Sequence, residues 1–423
     1  MNANELIQEA EESLFHVYNR FPVVFDHGEG MYLYDVSGKA YLDFAAGIGV
    51  SAFGYGDAEY EEALTAQLKK LLHVSNLYYH TGLGDAAKAV CDVSGMDKVF
   101  FTNSGAEAIE GAVKTAKKYG YVRDGHSGHE IIAMEHSFHG RTVGALSVTG
   151  NAHYREPFAP LMDGIRFAVF NDLASVERQI TDHTIAILLE PVQGEGGVTP
   201  ATEDFMSGVR RLCEEHGLLL IFDEIQCGMG RTGSMFAWQD YGVRPDILTM
   251  AKALGGGVPV GAFAVTERLA ESSLVPGDHG TTYGGNPLVL AAVSASIRIM
   301  KDKRLAEHVA EMSPYFEQVL EDLVRSYDFV EGRRGKGFMQ GLVLSEAVPV
   351  GEVVAKALER GLIVLSAGGN VLRLLPPLIA ERQDMDRMHE ILRDVLDGNV
   401  FSKIRNFENR VRKELIQFYR TYT

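Results

Sequence analysis

An open, mostly parallel α/β sheet, accompanied by a smaller α+β domain, is the architecture that this 423-residue sequence predicts. Three observations point to it. Between residues 98 and 266, short apolar runs alternate with stretches of helical composition, as expected of strands covered by helices on both faces. Polar residues gather just past the last apolar residue of one run after another: Asn103-Ser104, His136-Ser137, Glu190-Pro191, Asp223-Glu224 and Lys252. Beyond residue 287 the texture changes to long helices and short strands punctuated by glycine. Ligands of open α/β sheets bind outside the carboxyl ends of the strands, so the gathered polar residues are expected to form one site.

Composition narrows the function classes. Apolar content of 46% and charged content of 23% are those of a soluble globular chain. The length suggests roughly two or three domains. A net charge of −17 argues against nucleic-acid and anionic-membrane partners, since phosphate contacts need a basic face. Cys91, Cys213 and Cys227 are an odd, widely spaced set without a CxxC pair, which fits a reducing compartment and neither a disulfide framework nor a zinc site. The N-terminal residues have no basic n-region or apolar h-region, and no apolar run approaches the ~20 residues that span a bilayer. A cytoplasmic protein is expected.

The elements follow in order. Leu6, Ala10, Leu14 and Val17 make a helical stripe over residues 5–17, and residues 31–44 alternate about a Ser37-Gly38 turn, which reads as a hairpin. Residues 45–50 are small and flexible, either a tightly packed loop or a wall of a substrate site. An amphipathic helix is expected over 59–72. A strand at 98–102 runs into Asn103-Ser104-Gly105-Ala106-Glu107-Ala108 and a helix to about residue 119. That strand–turn–helix pattern places free N–H groups where an anion can bind, though the same turn can merely cap the helix. Neither GxxxxGK[ST] nor a GxGxxG after a strand occurs, which removes the P-loop and Rossmann readings. The strand at 130–135 ends in His136-Ser137-Phe138-His139-Gly140-Arg141. No cluster completes a metal-ligand set around the two histidines, while Phe138 and Arg141 offer a flat aromatic and a fixed cation. The strand at 185–189 ends in a glycine-rich loop carrying Glu190 and Glu195; a helix covers 205–216; a buried strand ends on Asp223. Strands near Lys252 and at 262–266 complete the series.

The C-terminal part is expected to hold helices at 288–300, 305–327, 351–360 and 384–396, a basic glycine-rich strand region at 332–337, and strands at 362–365 and 371–375. The predicted division is an N-terminal segment, 1–45, joining the small domain; a large α/β domain, 46–287; the small α+β domain, 288–398; and a tail, 399–423. In the tail, apolar residues recur at spacings of three and four among six lysines and arginines, a basic amphipathic helix on an acidic protein. It suits a terminal helix docked on its own chain or subunit partner, or else a surface for a dedicated partner or membrane.

Lys252 organises the chemistry. It stands in Leu248-Thr249-Met250-Ala251-Lys252-Ala253-Leu254, with no other charge nearby and three glycines following. Desolvation there lowers the amine pKa and frees it to attack a carbonyl, and the glycines let backbone approach something bulky and planar. An amine, a buried acid, an aromatic plate and a helix N-terminus together suit pyridoxal 5'-phosphate. Lys252 would hold its aldehyde as a Schiff base, and Asp223 would keep the pyridine nitrogen protonated so that the ring acts as an electron sink. The turn at 103–106 would take the phosphate, and Phe138 would stack on the ring.

Six stretches, in this order, carry a resemblance: Asn103-Ser104-Gly105-Ala106-Glu107-Ala108; Phe138-His139-Gly140-Arg141-Thr142; residues 190–197; residues 222–233; Ala251-Lys252-Ala253-Leu254-Gly255-Gly256-Gly257; and Gly280-Thr281-Thr282-Tyr283-Gly284-Gly285-Asn286-Pro287. Over about residues 15–398 the chain resembles class III, fold-type I, pyridoxal-phosphate-dependent aminotransferases, most closely the acetylornithine/ornithine branch. The resemblance implies that Lys252 is the Schiff-base lysine and proton carrier and Asp223 the pyridine partner. By the same carry-over Gln226 bonds the ring hydroxyl, and Ser104, Gly105 and Ala106 bind the phosphate, with Thr282 reaching it from a neighbouring subunit of a homodimer. Arg141 and Thr281 would bind substrate, and Arg373 would hold the α-carboxylate of glutamate or 2-oxoglutarate as a bidentate pair. Glu195 would cover Arg373 when the donor presents a distal amine. Residues 73–79 resemble the acetylornithine branch, which implies N2-acetylornithine and 2-oxoglutarate as substrates, in arginine biosynthesis. Where the family pattern has a histidine-proline pair near residues 55–58, this chain has Tyr55-Gly56-Asp57-Ala58. Ornithine, succinylornithine or 4-aminobutyrate as donor, an aminomutase, and a non-catalytic cofactor-binding regulator are the rival readings. An intact lysine, aspartate and arginine set counts against the last, because a retired site has no reason to keep costly buried ions.

Overall fold

The computed structural model describes residues 2–398; the expected tail helix over 399–423 lies outside the described residues. The large sheet is built from the apolar runs. We label its strands β1 (Lys98–Thr102), β2 (Glu130–Met134), β3 (Ile165–Ala168), β4 (Thr184–Leu189), β5 (Leu219–Asp223), β6 (Ile247–Met250) and β7 (Gly261–Val265). Among the described residues the sheet has seven strands in the spatial order β1-β7-β6-β5-β4-β2-β3. Neighbours are parallel from β6 through β3, whereas β7 runs against both β6 and β1. The central strands β4 and β5 are buried at every position, which is why they read as continuous apolar runs rather than alternating ones.

β3 was not expected from the sequence. It is a four-residue edge strand, partly exposed, and its Arg166 pairs outward with Glu130 at 2.6 Å, so it carries no apolar run to find. The helix after β1, which we label α1, spans Gly105–Asp124 and is longer than its composition suggested. Ser104 is its N-cap, accepting from Glu107 N at 3.2 Å, a contact worth ~1 kcal/mol. Gly125 ends it at φ +75°, the left-handed position that glycine fills without strain.

The N-terminal hairpin is Tyr32–Asp35 paired antiparallel with Ala40–Asp43, as its alternation predicted. Ala40–Asp43 then pairs parallel with Leu362–Ile363, tying the start of the chain to its C-terminal part. The single strand expected at 362–365 is two: Leu362–Ile363 joins the N-terminal sheet, and Leu365–Ala367 pairs with Val371–Leu374. Val364 is the buried link between them. Met339–Leu344, also unforeseen, lies between Val330–Lys336 and Val371–Leu374 in that second sheet. Helices Pro287–Asp302, Leu305–Ser326, Val350–Glu359 and Arg382–Asp397 pack around these sheets and share one apolar core with the large sheet. Among the described residues no helix is long and apolar enough to cross a membrane.

Candidate active site

The strand ends converge as expected. A cavity of about 360 Å³ opens beside Lys252, within the range of small-molecule and cofactor sites. Its wall includes Ser104, Gly105, Ala106, Phe138, Glu195, Asp223, Gln226 and Lys252. Arg141, Thr281, Thr282 and Arg373 do not line it.

Lys252 follows β6 at φ +48°, a left-handed conformation that a lysine adopts only when its surroundings impose it. Such strain collects at functional sites. By surface area the residue is half-buried, because it borders the cavity, yet its amine is crowded by protein. Burial pushes that amine down to about 8; Glu195 pulls it back up, Arg373 adds to the depression, and Asp223 and Glu190 oppose it. Lys252 Nζ makes no hydrogen bond among the described residues. The three glycines after it have separate duties. A Cβ on Gly255 would stand 2.1 Å from Val258 O, and one on Gly256 would stand 2.5 Å from the Phe53 ring, so both are required by packing within this chain. Gly257 lines the cavity and has open space around it.

Asp223 ends β5 and is buried. Its Oδ1 accepts from Ile225 N at 3.0 Å and Thr249 Oγ1 at 3.2 Å; its Oδ2 faces His139 Nδ1 at 2.7 Å. The last contact was not foreseen, since the histidine was weighed only as a metal ligand. An ionised carboxylate accepts about four hydrogen bonds, so one place is left for a protonated ring nitrogen. His139 is itself buried, with Nε2 unpartnered, and its charge-assisted bond fixes the carboxylate's orientation. Glu190, fully inside, accepts from Phe138 N at 3.0 Å and Gly194 N at 3.1 Å. Burial pushes it up to about 7, against the pull of His139, while Asp223 adds to the rise. It thereby holds the Phe138 loop and the Glu195 loop in place together.

At the opposite end the first N–H groups of α1, those of Gly105 and Ala106, have no acceptor within the helix and border the cavity. Gly140, at φ +135°, lets the Phe138 loop lie directly on them, since a Cβ there would stand 2.8 Å from the Ala106 Cβ. The helix N-terminus favours an anion. An enclosed amine, an acid with one free acceptor place in the same wall, an aromatic side chain and an anion cradle are what pyridoxal phosphate requires. The residues present fit that group.

Arg373 lies behind this wall on Val371–Leu374, 2% exposed. Its Nη1 donates to Glu195 at 2.5 Å and to Gln226 Oε1 at 3.1 Å, so Gln226 is engaged with this pair in the structure. Burial works against ionisation of Glu195, but Arg373, joined by Lys252 and Gln226, holds the carboxyl below its ordinary value. Arg141 stands at the surface with its guanidinium 4.3 Å from the Tyr154 ring centre and 5.4 Å from that of Phe138. Thr281 Oγ1 accepts from Asn103 Nδ2 at 2.8 Å, beside the start of α1, and Thr282 is exposed away from its own cavity.

Residues 45–50 combine both expectations: Ala45, Ala46 and Gly49 are packed inside, and Val50 lines the cavity. Ala46 and Ile48 sit at φ +48° and +68°, unusual for either residue. The buried Asp43 carboxylate holds this turn by accepting from Ala45 N at 2.8 Å, Ala46 N at 3.0 Å and Tyr55 Oη at 2.6 Å. Tyr55, where the sequence departs from the family pattern, thus anchors the wall.

The depressed amine gives a testable pH dependence. Only the neutral amine attacks a carbonyl, so a pKa of about 8 leaves roughly a tenth of Lys252 reactive at pH 7, against fewer than about one in a thousand for an ordinary lysine. Protein freed of cofactor is expected to capture pyridoxal phosphate faster as pH rises, levelling off above about 8. Stopped-flow absorbance checks this; a rise continuing to pH 10 would contradict it.

The chain is similar to known proteins in sequence and fold. The class-III aminotransferase family model matches residues 15–396. The acetylornithine aminotransferase of Methanocaldococcus jannaschii is 46% identical over 386 residues, covering 91% of this chain and 96% of its own. That of Clostridium acetobutylicum is 44% identical over 375 residues, 88% of this chain and 96% of its own. Among solved structures, the ornithine aminotransferase of Toxoplasma gondii superposes with a TM-score of 0.90 at 29% identity, covering 94% of this chain and 96% of its own. The acetylornithine aminotransferase of Elizabethkingia anophelis gives 0.84 at 31%, covering 94% and 100%.

Proposed function

We propose that this chain, which belongs to the class-III aminotransferases, moves the distal amino group of N2-acetylornithine to 2-oxoglutarate with pyridoxal phosphate held at Lys252. The relatives between 41% and 46% identical that carry the name acetylornithine aminotransferase support the donor. The observation that carries the two-substrate reading is the buried Arg373 covered by Glu195 at the edge of the Lys252 cavity. When bound, pyridoxal phosphate supplies an electron sink for the pair released at the carbon that bears the amine.

The chain's own residues do the rest. Lys252 Nζ would hold the cofactor by its aldehyde and would take and return the proton at the substrate's amine-bearing carbon. Asp223, oriented by His139, keeps a proton on the ring nitrogen. Gly105 and Ala106 grip the phosphate through their N–H groups, aided by Ser104. Phe138 closes one face. Gln226, engaged by Arg373 in this structure, would bond the ring hydroxyl from the cavity wall. Arg141 and Thr281 hold the donor's carboxylate end. Arg373 is kept for the α-carboxylate of glutamate or 2-oxoglutarate, and Glu195 neutralises it while a distal amine is being processed.

We place the reaction in a homodimer in the cytoplasm, as a step of arginine biosynthesis. Leu77 and Tyr79 are 86% and 96% exposed beside Leu68, Leu71, Leu72 and Tyr78, an apolar strip that asks for a partner. Asn76 fastens that strip to the loop of Thr282 by donating to Thr281 O and Gly284 O at 3.1 and 3.0 Å. A second copy seated there would carry Thr282 to the neighbour's phosphate cradle. The three cysteines are free thiols, which suits a reducing compartment. The division into a large domain, 46–287, and a small domain, 288–398, joined by 1–45, belongs to this reading.

The test is a half-reaction panel. Acetylornithine, ornithine, succinylornithine, 4-aminobutyrate and glutamate are offered singly to the loaded enzyme, and the loss of its visible absorbance is timed. N2-acetylornithine is expected to react fastest; the superposition on ornithine aminotransferases makes ornithine the rival donor. Failure of every amine to bleach the enzyme would leave the non-catalytic reading. In the same assay Glu195→Ala is expected to shift preference from distal amines toward glutamate by about tenfold or more. An unchanged preference would remove Glu195 from this role.

A further inference from the structure

A second cavity of about 360 Å³ adjoins the first and shares Phe138 and Glu195 with it, so these two side chains form the partition. Arg334, from Val330–Lys336, stands on its far side. This guanidinium is half-buried without a counter-ion among the described residues. Its Nη1 reaches Thr199 Oγ1 at 3.4 Å, its Nε has no partner, and burial lowers its pKa. It lies against the loop that carries Glu195: a Cβ on Gly197 would stand 3.0 Å from its Nη2, and Gly368, in the same cavity wall, donates its N–H to Glu195 O at 2.9 Å.

We propose that Arg334 is the alternate partner of the Glu195 carboxylate, occupied when Arg373 is released to a dicarboxylate. The inference rests on the reading of Glu195 and Arg373 as the substrate-dependent pair. Arg373 is almost wholly covered, so a substrate carboxylate reaches it only if Glu195 leaves. A carboxylate that leaves a guanidinium and stays half-buried without a new cation is strongly disfavoured. A cation already waiting behind the partition removes the difficulty. The incoming carboxylate takes Arg373, Glu195 takes Arg334, and neither carboxylate is left without a cation. In the present arrangement Glu195 answers to Arg373 and Lys252, and Arg334 stands unused. Two states separated by one side-chain movement are thereby biased by which substrate is present.

The test compares Arg334→Gln with the parent enzyme, in wild-type and Glu195→Ala backgrounds, as cofactor-loaded protein. Calorimetry reads the Kd for glutarate, a dicarboxylate that cannot react, and half-reactions read KM for glutamate and for N2-acetylornithine. Arg334→Gln is expected to weaken glutarate and to raise the KM for glutamate by about tenfold, with the N2-acetylornithine half-reaction changed less than about twofold. In the Glu195→Ala background the same substitution is expected to add nothing, and Arg334→Lys to restore part of the loss. Equal losses for both substrates, accompanied by a lower Tm, would make Arg334 a structural clamp and overturn the proposal. So would a loss confined to N2-acetylornithine, or a full effect persisting without Glu195. An unchanged substrate preference in Glu195→Ala alone would instead overturn the underlying reading.

Discussion

Replacing Lys252 with alanine is expected to lower the overall transamination rate by about 10³-fold or more, the scale on which a positioned nucleophile and proton carrier acts. The same variant is expected to lose the visible absorbance that borohydride bleaches in the parent. Its fold is expected to survive, for two reasons. The backbone at this position is already left-handed, a strain that alanine shares with lysine. The parent side chain also carries an amine that burial drives toward neutrality, so its removal takes away a cost. A Tm equal to or above the parent's, with activity gone, separates a chemical role from a structural one. Undiminished turnover in Lys252→Ala would dismiss the site as described.

The second large effect belongs to Asp223. Asp223→Asn keeps the size of the side chain and an oxygen for Ile225 N and Thr249 Oγ1, but it removes the charge that would hold a proton on the ring nitrogen. Turnover is expected to fall by roughly 10²–10³-fold, as when a charge-stabilising group is taken from a water-poor site. Bound cofactor should remain detectable, since the lysine and the helix N-terminus are untouched. His139 is the control. Asp223→Ala leaves this buried imidazole without its carboxylate, and a buried polar group left unpaired costs about 1–3 kcal/mol. Thermal unfolding should therefore separate the two variants, while activity should not. Wild-type turnover in Asp223→Asn would refute the assignment.

The legible parts of this molecule are those where chemistry and burial coincide along the chain. β4 and β5 announce themselves because strands covered on both faces need unbroken apolar runs. The residues just past them were easy to single out because charge following such a run has few structural uses. What stayed hidden depends on distance in sequence. His139 meets Asp223 across two separate strand ends, and nothing near either residue hints at the pairing. β3 is too short and too exposed to leave an apolar signature. Val364 sends adjacent residues into two different sheets, a decision taken by packing partners more than three hundred residues apart. Gly255 and Gly256 look like concessions to a bulky ligand but answer to Val258 and Phe53 of the same chain. Arg334 reads as one more surface cation in a basic strand; only its lack of a counter-ion among the described residues gives it interest.

The reversed strand β7 also sets a timetable. β1 lies at the edge of the large sheet, and its one neighbour there is β7, with Thr102 opposite Gly261. α1 springs directly from β1 and packs on β7, so the N–H groups at its start take their final position only once β7 has docked. Contacts that join such distant stretches form slowly. During synthesis strands β2 to β5 therefore leave the ribosome before β7 is made and the anion cradle is complete. A chain ending short of residue 261 carries Asp223 and Lys252 but lacks the strand on which β1 and the start of α1 dock, which defers cofactor capture until the sheet has closed.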